Sequence, residues 1–93
     1  MSGTEKTGSV SVRRVFRSSR LGNIAGCFVD DGFARRDSLF VLVRGGERLW
    51  SGRCESFRRF RDDVQEVKGG FEVGIKLKGY DDIQEGDVLE AWP

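Results

Sequence analysis

The decachain "GFEVGIKLKG" at residues 70–79 alternates apolar and polar side chains with a period of two. Phe71, Val73, Ile75 and Leu77 share one face, and Glu72, Gly74, Lys76 and Lys78 share the other. Successive strand side chains point to opposite faces, so this pattern describes a half-buried β-strand and no helix. Shorter runs of the same kind recur along the chain. "SVSVRRVF" (9–16) alternates at Val10 and Val12 and then loses phase at Arg13 and Arg14, where a β-bulge is expected. "NIAGCFVDDG" (23–32) reads as a second strand ending in a turn. "SLFVLVRGGERLWSG" (38–52) reads as a hairpin closed tightly by Gly45 and Gly46. "DDIQEGDVLEAW" (81–92) reads as a short helical turn, a glycine and a last strand.

Thirteen glycines and a single proline punctuate these runs at all-β spacing. The expected fold is all-β: about six strands closing into a small antiparallel β-barrel, with a two-sheet sandwich as the alternative. Residues 57–67 carry the only helical periodicity. The run is short and Asp62-Asp63 sits poorly inside a helix, so a loop with one helical turn is expected there. Ninety-three residues suit one domain, placed at 9–93, after a flexible lead-in over residues 1–8.

The apolar runs are at most five residues long, at 39–43, so no stretch is long enough for a membrane helix. The chain has no histidine, and Cys27 and Cys54 are not in a CxxC pair, so a zinc site or other metal is not expected. Two free thiols are expected in place of a disulfide. The missing histidine also removes the commonest general base and every Ser-His or Cys-His arrangement. There is no GxxxxGK[ST] phosphate loop. Asp30-Asp31, Asp62-Asp63 and Asp81-Asp82 read as turn residues and solubilising charge. These absences point to a binding module that needs no cofactor, and away from an enzyme.

Net charge is only +1, so contact with nucleic acid requires a local patch. "RRFRDDV" (58–64) provides one: Arg58, Arg59 and Arg61 surround Phe60 and are followed by two aspartates. Arginine suits bidentate contact with phosphate, and an aromatic ring suits base stacking. A solvated loop paired to Asp62 and Asp63, with Phe60 as a core plug, accounts for the same residues. Cys27 shares a strand face with Ala25 and Val29, which favours a buried structural thiol. Val73 falls on the apolar face, whereas Glu72 and Gly74 point outward. Gly74 and Gly26 permit close approach of a ligand to the backbone. Arg13, Arg14, Arg17 and Arg20 form a second basic run, read as a solvated strand edge.

Three longer stretches, "RRVFRSSRLGNIAGCFVDDG", "SFRRFRDDVQEVKGGFEVGI" and "DIQEGDVLE", together resemble the C-terminal domain of bacterial-type translation initiation factor 2. The resemblance covers roughly residues 12–91. It implies a β-barrel related to the second domain of elongation factor Tu. It also implies binding of the formyl-methionyl acceptor end of initiator tRNA, with ribosome contact through the parent protein. The GTPase domain of that parent is absent from these residues, so no hydrolysis is implied. By motif, the implied site comprises Gly26, Cys27, Arg58, Arg59, Phe60, Arg61, Glu72, Val73 and Gly74. Val73 departs from the family, which usually has cysteine there; a valine still offers apolar wall to a methionine side chain. The implied setting is cytoplasmic, or else a mitochondrial matrix or plastid stroma, and the expected state is a monomer without membrane contact. A structural or ribosome-binding barrel that does not bind tRNA is the competing reading.

Overall fold

The computed structural model describes residues 6–20 and 22–93, and these form nine β-strands and no helix. Strands β1 (Gly8–Ser18), β2 (Gly22–Arg35), β3 (Leu39–Arg44), β4 (Glu47–Gly52), β5 (Cys54–Arg59), β6 (Asp62–Asp63), β7 (Glu66–Lys68), β8 (Glu72–Leu77) and β9 (Val88–Trp92) follow in chain order. Pairing is antiparallel in the order β4-β3-β9-β1-β2-β8-β5-β6, with β7 also on β2. The all-β expectation holds, but the ladder does not close into a complete barrel. Only Arg53 separates β4 from β5, and one residue cannot reverse the chain to pair the two strands. The sheet curls instead, and its concave side is filled by side chains. Phe40 of β3 and Phe57 of β5 meet there with ring centroids 6.3 Å apart. Each is fully buried, which stabilises the fold by about 1.5–3 kcal/mol per side chain.

Several local expectations change. The first strand starts at Gly8, and the Thr7 N–H already donates to the Ala91 carbonyl at 2.7 Å. Residues 1–5 of the expected lead-in lie outside the described residues. The expected turn at 30–32 is a strand irregularity: β2 continues to Arg35, and its register against β1 slips between Ser9 and Val10. The expected helical turn before the last strand is an irregular segment. Its tight bend at 84–87 donates from the Gly86 N–H to the Val12 carbonyl, and its Asp87 carbonyl accepts from the Val12 N–H. The expected loop at 57–67 is mostly strand: β5 and β6 form a hairpin with Arg59 opposite Asp62. Phe71 does not share the buried face of Val73, Ile75 and Leu77. It precedes β8, after the Gly69-Gly70 turn, and stays half-exposed.

The bulge expected at Arg13-Arg14 is present, as a register shift between Val12 and Arg14. It decides which side chains face out. Val10 and Val12 are buried; beyond the extra residue, Val15 packs on the core, while Arg14 and Phe16 are exposed. Strict alternation would have driven Arg14 and Phe16 inward, because a one-residue slip exchanges the faces of a strand.

Candidate functional site

Strand pairing brings the two glycine-containing motifs together. Gly26 lies opposite Gly74, and Cys27 lies opposite Val73. On the other flank of β2, Arg14 lies opposite Gly26 and Phe16 opposite Ile24. The β5–β6 hairpin adds Phe60 at its tip. These strands enclose an open groove of about 620 Å³. Six of the residues expected from the sequence line it: Gly26, Cys27, Phe60, Glu72, Val73 and Gly74. Arg13, Arg14, Phe16 and Ile24 complete the wall. Reading the basic run as a solvated edge overlooked Arg13 and Arg14, although the loss of phase there carried the signal.

The lining residues contribute differently. Cys27 and Val73 are buried, and the Cys27 thiol donates to the Ala25 carbonyl at 3.4 Å. Burial pushes this thiol well above its ordinary pKa, so it is neither a thiolate nor a nucleophile at neutral pH. Cys54 is also a free thiol, raised by partial burial. The floor is therefore backbone and apolar edge, and the polar groups stand at the rim. A Cβ on Gly26 would come within 2.9 Å of the Phe16 ring, so the bare backbone is what lets that ring lie over the strand. A Cβ on Gly74 would make only ordinary contacts, 3.7 Å from the Arg58 carbonyl and 3.9 Å from Ile24. Glycine at 74 thus leaves open floor that the fold itself does not need.

Phe60 is 84% exposed and has φ 58°, the only positive φ of a non-glycine among the described residues. It is the first residue of a two-residue hairpin loop, Phe60-Arg61. That position favours glycine, because a Cβ is strained at positive φ. The aromatic ring is thus kept in the open at a conformational cost.

The arginines of "RRFRDDV" separate. Arg58 donates through Nε to Asp63 Oδ1 at 2.9 Å. Arg59 donates through Nε to the Glu72 carbonyl at 3.3 Å, and its guanidinium lies 4.8 Å from the Phe71 ring and 5.5 Å from the Phe60 ring. Arg61 is exposed and lines no groove described here. Only Phe60 of the cluster borders the groove, and the pairing of arginine to Asp63 fits the solvated-loop account in part. Among the described residues, no group of three or more His, Cys, Asp or Glu is placed to hold a metal.

Translation initiation factor IF-2 from Chlorobaculum parvum is 48% identical over 88 residues, 95% of this chain. The factor of the same name from Chlorobium limicola is also 48% identical over 88 residues. The chain is related to a segment of translation initiation factor IF-2. It spans 9% of the length of these curated relatives. No protein-family model matches. Among solved structures, GDP-bound aIF5B from Aeropyrum pernix is similar with a TM-score of 0.71 and 17% identity. That match covers 98% of this chain and 17% of the other, and it supports the fold alone. The IF-2 relatives support a domain of a translation initiation factor.

Proposed function

We propose that this domain binds the aminoacylated 3′ end of initiator tRNA and seats the formyl-methionyl group in the groove between β1, β2 and β8. One observation carries the reading: residues distant in sequence, matched by motif to the resembling family, line a single groove through the Gly26–Gly74 register. The chemistry is compatible. The apolar edges of Phe16, Ile24 and Val73 suit a methionine side chain. Phe60 offers a free face for a terminal base, a contact of roughly 1–3 kcal/mol. Formylation removes the α-ammonium charge, and the groove has two arginines against the single carboxylate of Glu72. Arg13 is paired with Asp30 at 3.7 Å, which leaves Arg14 against Glu72, so the groove offers an unformylated ammonium no net attraction. No catalytic step is assigned: the thiols are protonated and the chain has no histidine. The proposed setting is the cytoplasm, with the ribosome met through the parent protein.

The test is competition binding of formyl-methionyl-tRNA and methionyl-tRNA to this chain. Tighter binding of the formylated form is expected, and equal affinity overturns formyl recognition. A barrel without tRNA binding is the second reading, motivated by Val73 where the family usually has cysteine. Val73 is only 3% exposed, so a thiol there would be as enclosed as that of Cys27. Val73→Cys is expected to leave tRNA affinity within about twofold, a difference below 0.5 kcal/mol. A large gain in affinity would mean that the site is impaired as it stands.

A further inference from the structure

Strand β3 is apolar on both of its faces. Phe40 and Leu42 point into the core, and Leu39, Val41 and Val43 on the opposite face are apolar as well. Such a run is expected where a strand is covered on both sides. The described residues form one curled sheet, so no second layer of theirs covers this outer face. The neighbouring strands extend it. Val43 pairs with Val88 of β9, Val41 with Glu90 and Leu39 with Trp92. On the other flank, Leu49 of β4 is 40% exposed and closes a hollow of about 450 Å³ with Leu39 and Val41.

Two polar groups in this face lack partners. Glu90 Oε1 is covered but accepts no hydrogen bond, and Trp92 Nε1 is covered but donates none. Glu90 also has no cation within ion-pair distance among the described residues. Covered polar groups in folded proteins are nearly always paired, so each calls for a partner from outside the domain. Both chain ends run beside the same face. The Thr7 hydroxyl donates to the Ala91 carbonyl at 3.1 Å, and Trp92, next to the last residue, lies opposite Leu39.

We propose that this outer face docks the polypeptide that adjoins the domain in a factor of IF-2 length. The occupant presents apolar side chains around a lysine or arginine that meets Glu90, and a carbonyl that accepts from Trp92. In the IF-2 relatives the matching residues make up 9% of the chain. Polypeptide joined at either end starts beside Leu39 and Trp92, and a short tether gives it an effective concentration of roughly millimolar. A small contact then suffices. A second copy of this chain, whose exposed Arg48 would supply the cation, lacks that advantage. The face presents a handful of side chains, against roughly 20–30 residues a side in stable complexes. The inference rests on the family relation and is independent of tRNA binding.

The experiment puts this chain into IF-2 from Chlorobaculum parvum in place of the residues it matches, and compares that chimaera with the chain alone. Leu49→Cys in a Cys54→Ser background is labelled with a thiol reagent and followed by peptide mass spectrometry. Lys68→Cys, at an exposed position of β7, is the control. Labelling at position 49 is expected to be about tenfold slower in the chimaera, as for a face open about a tenth of the time, with position 68 unchanged. Adding Glu90→Lys is expected to restore fast labelling at position 49. Equal rates at position 49 in the two contexts overturn the proposal, and so does equal slowing at both positions. Slowing in the chain alone that grows with its concentration overturns it in favour of a second copy. Slowing that survives Glu90→Lys overturns the ion pair as its basis. In the chain alone, Glu90→Met is expected to keep or raise the urea midpoint, since it removes a covered oxygen that has no donor. A lower midpoint would show that the carboxylate is satisfied within the domain, and would overturn its assignment to a partner.

Discussion

Phe60 shows what a single residue adds beyond pattern. Its neighbours made a contact loop legible in the sequence, because arginines and an aromatic occurring together suggest phosphate and base. Its conformation was not legible. Nothing in "RRFRDDV" says that the chain reverses within Phe60-Arg61, and phenylalanine is a poor candidate for the positive-φ position of such a loop. By contrast, Val73 inward with Glu72 and Gly74 outward followed directly from the period of two, and the structure keeps it. Phe60→Gly separates stability from binding. Glycine relieves the positive-φ strain of about 1 kcal/mol but adds unfolded-state entropy of about 0.5–1 kcal/mol, so the urea midpoint should stay level or rise slightly. RNA binding should weaken by about 1–3 kcal/mol through lost stacking. A clearly lower urea midpoint would instead make the ring a structural plug.

At the scale of elements, the β1 bulge and the turn before β9 act together. Bulging at Arg13 leaves the Val12 N–H and carbonyl to the 86–87 bend, and it turns Arg14 and Phe16 toward the groove. The sequence signalled the bulge through its broken phase. It did not signal the bend, since Asp87 reads as one more turn acid. In the structure the Asp87 side chain is 2% exposed and is held by Arg44 at 2.8 Å and by the Gln84 N–H at 2.9 Å. Deleting Arg13 removes the extra residue and, by period two from Val12, leaves Val15 inward with Arg14 and Phe16 outward, so the deletion variant should still fold. Arg13→Ala, at an exposed position, should fold with nearly wild-type thermal stability. A deletion variant that failed to fold would show that the bulge does more than set which side chains face out.

Asp87 also sets a pH dependence. Burial pushes its pKa up, but the hydrogen bonds from Arg44 and the Gln84 N–H, with the Arg44 charge, outweigh that and leave it below the ordinary carboxylate value. A depressed folded pKa gives stability that is full above the unfolded value, about 3.9, and is lost as pH falls through the folded one. Urea midpoints should therefore drop on acidification below about pH 4. Asp87→Asn should start lower at neutral pH and drop less. Parallel acid limbs for the two proteins would show that Asp87 does not titrate in this way.

Across the whole molecule, the groove sits on one side of the strand order, at β1, β2 and β8, while β3 and β4 lie at the other end. Strand β9 joins the halves. Leu89 pairs with Val10 of β1 and with Leu42 of β3, and all three are fully buried. The all-β class was legible because each strand carries its own alternation. The strand order was not, because the pairing of β1 with β9 depends on chain ends about eighty residues apart, and no local pattern encodes such a contact. If the curled sheet is one cooperative unit, both halves unfold together. Trp50 and Trp92 report on β4 and β9 by fluorescence. Cys27, the sole thiol in a Cys54→Ser background, reports on β2 by labelling, since its buried thiol reacts only on opening. Both probes should give one urea midpoint. Leu89→Ala, a fully buried truncation costing about 2–5 kcal/mol, should lower both by the same amount. Separate midpoints would mean that the groove-bearing half folds without β3 and β4, and that the fold is not a single unit.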